Sequence, residues 1–100
     1  MVGGIMTGGA TVKGTIPNYV KKHTLKGHMK RINKLIFHPT YPLIATASDD
    51  ASIRLWDYEV PELQDTLKGH TGHVSYIAFN REGTKLASSS SDTNVKIWNL

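Results

Sequence analysis

The sequence predicts an all-β fold in which two four-stranded blades form part of a β-propeller. Residues 27–28, Gly-His, return as residues 69–70, and residues 56–57, Trp-Asp, return as Trp98-Asn99, both at an offset of 42. A repeat of about 40–45 residues that begins with Gly-His and ends with Trp-Asp is typical of propeller blades with four strands each. Within both repeats, short β-branched and aromatic runs alternate with Pro and Gly turns, and no helical periodicity is present.

The strands are predicted in the same order in both repeats. Residues 32–37 and 74–79 form the first strands, and because they are apolar on successive residues we expect them to be buried on both faces. Turns at 38–42 and 80–83 end these strands, since proline removes a backbone donor and glycine allows positive φ. The second strands are predicted at 44–48 and 86–90, the third strands at 52–57 and 94–99, and a fourth strand at 63–68, after Pro61.

The chain divides into two parts by composition. Residues 1–15 are rich in glycine and show no periodicity, so we expect a flexible segment. Residues 16–100 hold the two repeats, at about 25–57 and 67–99. Two blades cannot close a ring, because propellers need about four to eight. We therefore expect further blades, in the same or in another chain, and an apolar face at each end that favours self-association.

The composition is that of a soluble globular chain, with 39% hydrophobic and 20% charged residues in a length of 100. No apolar run is long enough for a membrane span, and the N-terminus does not have the layout of a secretory signal. The absence of cysteine excludes a disulfide scaffold and a thiolate metal site, which fits a cytosolic or a nuclear protein, and we expect a cytoplasmic location.

Charge is distributed unevenly along the chain. Residues 1–48 contain seven Lys or Arg residues and no acidic residue, whereas all eight acidic residues lie at or after Asp49. Such a basic region can attract nucleic acid or another polyanion, although lysines on a strand edge also prevent aggregation. Aromatic residues for base stacking are sparse around 21–34. Binding of nucleic acid or another polyanion is therefore an alternative function, not the preferred one, and a role as an adaptor subunit of another complex is a further alternative.

Four polar or indole-bearing residue types recur once in each repeat. A hydroxyl with His and Asp suggests a nucleophilic triad, but this set is duplicated with the structural repeat and includes an indole, whose nitrogen only donates. A chain of hydrogen bonds from indole to hydroxyl to imidazole to carboxylate would satisfy every group. We interpret the sets as structural and predict no catalytic residue. Their members are His28, Thr46, Asp50 and Trp56 in the first repeat, and His70, Ser88, Asp92 and Trp98 in the second.

These patterns resemble the WD-repeat family. The resemblance covers residues 16–100 and is based on Gly-His at 27–28, on the segment 48–57, and on their second copies. Within that family the chain is similar to the lissencephaly proteins, also called nuclear distribution proteins, which regulate dynein. Residues 16–17, Ile-Pro, at their distance before the first Gly-His, and the segments 56–59 and 66–71 carry this second resemblance.

The resemblance implies a seven-bladed propeller that catalyses nothing and acts as a scaffold for proteins. It implies the dynein motor and its adaptors as partners, and a cytoplasmic location in association with microtubules and the cytoskeleton. Partners of such propellers usually dock on the rim where first strands begin and second strands turn. The candidate rim residues are Arg31, Asn33, Asp49, His73, Ser75 and Ser91.

We predict no cofactor and no metal. His70 and His73 are three residues apart, but the first belongs to a recurring set, and no further His, Cys or carboxylate lies at zinc-ligand spacing. We interpret His38, which precedes Pro39, as a residue at the end of a strand and not as a ligand.

Overall fold

The computed structural model describes residues 22–100, which form seven antiparallel strands and no helix. The first blade is a sheet in the order β1-β2-β3-β4, and the second is a sheet in the order β5-β6-β7. The predicted all-β fold with propeller-type blades is confirmed. The predicted flexible segment 1–15 lies outside the described residues. The strands are β1 Ile32–Phe37, β2 Leu43–Ser48, β3 Ser52–Asp57, β4 Glu62–Lys68, β5 Val74–Phe79, β6 Lys85–Ser90 and β7 Val95–Asn99.

The strand bounds follow the prediction closely. β1, β3 and β5 have the predicted bounds, β2, β4 and β6 begin one residue earlier, and β7 begins one residue later. The second sheet has three strands, since the 42-residue offset places the equivalent of β4 after Leu100. Both blades share a β-bulge near the start of their first strand, between Ile32 and Lys34 and between Val74 and Tyr76.

The hydrophobic core lies between the two blades. Small alanines on β2 allow the second blade to approach closely, and the contacts between blades run from β1 and β2 to β5. The core therefore joins one face of the first sheet to the opposite face of the second. Its buried members are Ala45, Ala47, Ile53 and Leu55 of the first blade, and Val74, Ile77 and Leu86 of the second.

The prediction that β1 is buried on both faces is wrong. Leu35 and Phe37 are 48% and 64% exposed, whereas Ile36 packs against the core. Successive side chains of a strand point to opposite faces, and the second blade covers only one face of β1. In β5 likewise, Ile77 is buried and Tyr76 is 56% exposed.

Candidate functional site

The structure brings the four recurring residues of the first repeat together. The Trp56 indole N–H donates to Thr46 Oγ1 over 2.8 Å, and Thr46 Oγ1 lies 2.6 Å from His28 Nε2. His28 Nδ1 lies 3.0 Å from Asp50 Oδ2. The Asp50 carboxylate only accepts, so the imidazole donates from Nδ1 to it. In the neutral imidazole Nε2 is then an acceptor, and the Thr46 hydroxyl donates to it while accepting from the indole. The donor and acceptor of every link are thus assigned.

The second repeat contains the same arrangement. The Trp98 indole N–H donates to Ser88 Oγ over 2.9 Å, and Ser88 Oγ lies 2.8 Å from His70 Nε2. His70 Nδ1 lies 2.8 Å from Asp92 Oδ2. We call each of these groups of four residues a tetrad. In each tetrad, the hydroxyl that a nucleophilic mechanism would need is held between an indole and an imidazole. This geometry supports a structural interpretation of the tetrads.

The glycine before each tetrad histidine allows the indole to pack closely. A Cβ at Gly27 would lie 3.0 Å from the tip of the Trp56 ring, and a Cβ at Gly69 would lie 3.2 Å from that of Trp98. The strand bearing the tryptophan therefore contacts the loop that leads into the first strand. This close approach explains why Gly-His and Trp recur as a unit.

Hydrogen bonds lower the pKa of the tetrad carboxylates. Burial would raise the pKa of Asp50, but hydrogen bonds from the Ser52 hydroxyl, the Met29 N–H, the His28 ring and the Ser52 N–H outweigh burial and hold this pKa far below its ordinary value. Asp50 is therefore ionised at neutral pH and joins the loop before β1 to the turn before β3. The pKa of Asp92 is lowered in the same way, because hydrogen bonds from the Asn94 N–H, His70 and the Thr71 N–H outweigh burial.

The turn after each tetrad aspartate holds a residue in the left-handed region. Ala51 has a φ of 71° and Thr93 a φ of 75°. Such a φ is unusual for a residue other than glycine, and for a β-branched residue it is a genuine outlier. The Asp50 carboxylate accepts from the Ser52 N–H and the Asp92 carboxylate accepts from the Asn94 N–H, each one residue after the left-handed residue. The tetrad aspartates therefore stabilise these strained turns. Sequence reasoning missed this feature, because alanine and threonine give no signal for positive φ.

Three of the candidate rim residues form a cluster where the blades meet. Asn33 Nδ2 donates to Asp49 Oδ1 over 2.7 Å and to the backbone carbonyl of Val74 over 3.0 Å. His73 Nδ1 lies 3.6 Å from Asp49 Oδ1, with 62% of its side chain exposed. The cluster therefore links the first blade to the second and also presents an imidazole to solvent.

The other three rim candidates lie beside this cluster. Arg31 is exposed, and its carbonyl accepts from the Asp49 N–H over 2.8 Å. Ser91 donates from its backbone N–H to the His73 carbonyl over 2.9 Å, and Ser75 lies at the β-bulge of β5 with its hydroxyl 3.4 Å from the Ser89 carbonyl. A cleft of about 420 Å³ opens between these turns, and its walls include Lys30, Asp49, Ala51, Thr71, His73 and Ser91.

A second contact between the blades, on the opposite rim, was not predicted. His38 is buried, and its Nε2–H donates to the Gly83 carbonyl over 2.9 Å. Its Nδ1 accepts from the N–H groups of Thr40 and Tyr41 over 3.1 and 3.0 Å. The ring also meets Phe79 edge-on, with 4.9 Å between ring centroids. His38 follows the end of β1, as its position before Pro39 indicated, and it also connects the two blades.

Within residues 22–100, no group of three or more His, Cys, Asp or Glu residues is placed to hold a metal ion. Nor does this part of the chain contain a helix long and apolar enough to cross a membrane.

A family model matches both repeats of the chain, and known proteins match about half of it. The family model for the WD domain, G-beta repeat, matches residues 19–57 and 61–99. Lissencephaly-1 homologs of Glossina morsitans morsitans and Schistosoma mansoni are 48% and 49% identical to the chain over 49 residues. The nuclear distribution protein PAC1 of Cryptococcus neoformans is 42% identical over 49 residues. Each match covers 49% of this chain but only 11% or 12% of the relative. Both resemblances seen in the sequence are confirmed.

Proposed function

Because this chain belongs to the WD-repeat family, we propose that it acts as a scaffold that binds protein partners on the rim formed by its two blades, without catalysis. The carrying observation is the cluster of Asn33, Asp49 and His73, which joins the blades and leaves 62% of the His73 side chain exposed. A partner that binds this cluster would contact both blades. The tetrad hydroxyls, by contrast, already have two partners each.

The resemblance to the lissencephaly and nuclear distribution proteins supports a finer proposal. The partner is then the dynein motor or one of its adaptors, and the protein acts in the cytoplasm near microtubules. The similarity to these relatives covers 49 residues of this chain. We also propose that the chain divides into an N-terminal segment, residues 1–15, and a two-repeat region, residues 16–100.

Polyanion binding remains the second candidate function, because the acid-free N-terminal half contains the exposed lysines Lys22, Lys26 and Lys30 within nine residues. An observation against it is that the exposed ring of Tyr76 is already covered by the Lys34 ammonium group, which lies 4.6 Å from the ring centroid. A base could not stack on that face without displacing the lysine.

The experiment measures binding to a purified dynein motor domain and to a single-stranded RNA in parallel, at about 0.05 M and 0.15 M salt. We expect motor binding that survives the higher salt and is lost in a variant with Arg31→Ala and His73→Ala. A matched variant with Lys22→Gln and Lys26→Gln should bind the motor like the parent. RNA binding should be weak, with a dissociation constant of about 10⁻⁴–10⁻⁶ M, and should fade with salt. Tight RNA binding lost in the lysine variant, without motor binding, would favour the second candidate.

A further inference from the structure

The cleft of about 420 Å³ on the rim lies between the two blades, and we call it the rim cleft. One wall is formed by the loop before β1 and the turn between β2 and β3, and the other by the loop before β5 and the turn between β6 and β7. All of these walls lie between residues 30 and 91, so both blades that form the cleft are present. The lining side chains include Lys30, Asp49, Asp50, Thr71, His73 and Ser91.

The Asp49 carboxylate is held in the rim cleft by one of its two oxygens. Asn33 Nδ2 donates to Oδ1 over 2.7 Å and also donates to the Val74 carbonyl over 3.0 Å. The Asp49 N–H donates to the Arg31 carbonyl over 2.8 Å, which fixes the turn that carries the carboxylate. Within residues 22–100, no donor lies within hydrogen-bond distance of the other oxygen, Oδ2. The carboxylate is therefore fixed in place with one oxygen available to a further donor.

The two tetrad carboxylates near the rim cleft have no such capacity. Both oxygens of Asp50 and both oxygens of Asp92 already have partners among backbone N–H groups, hydroxyls and imidazoles. Those bonds hold the tetrads together, and a ligand could reach these carboxylates only by breaking them. Asp49 is therefore the carboxylate of this cleft that can bind a ligand without disturbing a blade.

The second repeat shows that the fold of a blade does not require this carboxylate. The offset of 42 residues carries Asn33 to Ser75 and Asp49 to Ser91. The second blade nevertheless forms the same β-bulge at its first strand and the same turn with a positive φ. A requirement of the blade itself would apply to both repeats, so the charge at position 49 is specific to the rim cleft.

No Lys or Arg side chain of residues 22–100 lies within ion-pair distance of Asp49. Lys30 lines the rim cleft and Arg31 lies next to it in sequence, and both are exposed to solvent. His73 Nδ1 lies 3.6 Å from Asp49 Oδ1, which is too long for a hydrogen bond. The negative charge of Asp49 is thus available to a cation from outside the chain.

We propose that a cationic side chain of the protein partner, an arginine or a lysine, enters the rim cleft and binds Asp49 Oδ2. This inference rests on the protein-binding function proposed above and specifies the chemistry of the partner. An N–H donor with a positive charge forms a stronger hydrogen bond to a carboxylate than a neutral donor does. The hydroxyls of Thr71 and Ser91 in the same cleft are further acceptors for such a group.

His73 makes this binding depend on pH. Histidine side chains change charge between about pH 5 and pH 8. A protonated imidazole presents an N–H with a positive charge to Asp49 Oδ1 and competes with the cation of the partner, whereas a neutral imidazole does not. Acidification therefore weakens binding of the partner cation.

The other charged groups around His73 keep their charge over this range. Hydrogen bonds hold the pKa of both tetrad carboxylates well below it, and lysine and arginine side chains titrate well above it. The change in charge at the rim cleft therefore comes from the imidazole. These other groups are Lys30, Arg31, Asp50 and Asp92.

The test is a titration of the full chain with N-acetylarginine amide, followed by NMR on the side-chain amide signal of Asn33. N-acetylcitrulline amide is the matched control, because it has nearly the same shape and no charge. At about pH 7.5 and about 0.15 M salt we expect a saturable shift with the arginine compound, and about 10-fold weaker binding of the citrulline compound. At about pH 5.5 the arginine compound should bind about fivefold more weakly.

Three variants locate the effect. Asp49→Asn removes the charge but keeps an oxygen for Asn33, and it should weaken arginine binding about 10-fold. Asp65→Asn removes an exposed carboxylate on β4, outside the rim cleft, and should bind like the parent. His73→Gln should keep the affinity at about pH 7.5 and lose the pH dependence. If Asp49→Asn loses the circular dichroism signal of the parent, Asp49→Ser takes its place with the same expected result, since Ser91 occupies this position in the second repeat.

Equal binding of the arginine and citrulline compounds, unchanged binding by Asp49→Asn, or binding by the parent that does not weaken on acidification would each overturn this inference. The proposed function fails separately. If the dynein motor domain does not bind a chain that binds the arginine compound through Asp49, the dynein proposal is wrong and the inference stands. If the motor domain binds the parent and Asp49→Asn equally well, the scaffold function stands and the inference is wrong.

Discussion

His38 in the first blade donates a hydrogen bond from Nε2 to the carbonyl of Gly83 in the second blade, over 2.9 Å. Gly83 has a φ of +75°, and a Cβ at this position would lie 2.3 Å from His38 Nε2. The glycine is therefore required both by its own backbone and by the imidazole beside it. The turn after β1 and the turn after β5 are coupled through this pair.

Gly83→Ala should destabilise the chain, because the left-handed conformation costs an L-residue about 1–2 kcal/mol and the methyl group displaces His38. The measurement is chemical unfolding at one fixed protein concentration, for both single variants and for the double variant with His38→Ala. We expect Gly83→Ala to cost less in the His38→Ala background, since the steric part of its effect is then gone. Strictly additive effects of the two substitutions would contradict the coupling.

Thr46→Val should weaken the first blade although it preserves the shape of the side chain. The Trp56 indole and the His28 ring would both lose their shared partner, and each buried group left unpaired costs about 1–3 kcal/mol. Trp56→Ala should cost about 3–5 kcal/mol, because Trp56 is 3% exposed. Ser75→Ala and Ser91→Ala, at exposed positions, should each cost less than about 0.5 kcal/mol. Equal effects of Thr46→Val and Ser91→Ala on the unfolding midpoint would speak against the tetrad.

Acid should destabilise the fold through the tetrad carboxylates. The pKa of Asp50 is lowered in the folded state, so the unfolded chain binds more protons at low pH, and stability is lost as the pH falls. We expect the free energy of unfolding to decline from the ordinary aspartate pKa of about 3.9 downward, towards the lower folded pKa. Asp50→Asn should make the chain less stable at neutral pH and should flatten this decline. The check is the unfolding free energy between pH 7 and pH 2, and an unchanged slope in the variant would contradict the assignment.

Thr93→Gly should stabilise the turn after β6. A β-branched residue with a φ of 75° stores about 1–3 kcal/mol of strain, whereas glycine loses about 0.5–1 kcal/mol in unfolded-state entropy. The expected net gain is about 1 kcal/mol. Thr84→Gly is the control, because Thr84 carries no positive φ and should only lose stability. A lower melting temperature for Thr93→Gly than for the parent would show that the turn is not strained.

Much of the fold could be predicted because the sequence contains two copies of the same repeat. The offset of 42 places each member of the first tetrad on a member of the second, and chemistry alone then favours a closed hydrogen-bond chain over a triad. The bounds of β1, β3 and β5 follow from their β-branched and aromatic runs and from the turns that end them. Periodicity could not show which face a neighbour covers, and for that reason the burial of Leu35 and Phe37 was predicted wrongly.

Apart from the positive φ of Ala51 and Thr93, the unpredicted features are those that the repeat does not duplicate or that depend on backbone register. His38 has Asn80 as its repeat equivalent, and Gly83 has Tyr41, so comparing the repeats gave no sign of the contact between blades. The β-bulges that place Asn33 and Ser75 outside the regular pairing depend on the hydrogen-bond register, which side-chain patterns do not specify.

We propose that each tetrad stabilises its own blade while the rim binds the partner, and one pair of variants separates the two roles. The unfolding free energy and the affinity for the dynein motor domain are measured on Thr46→Val and on Arg31→Ala. We predict that Thr46→Val lowers stability while its folded fraction binds like the parent, and that Arg31→Ala keeps the stability of the parent while its binding is weakened. Loss of binding by fully folded Thr46→Val, with unchanged binding by Arg31→Ala, would contradict this division of roles.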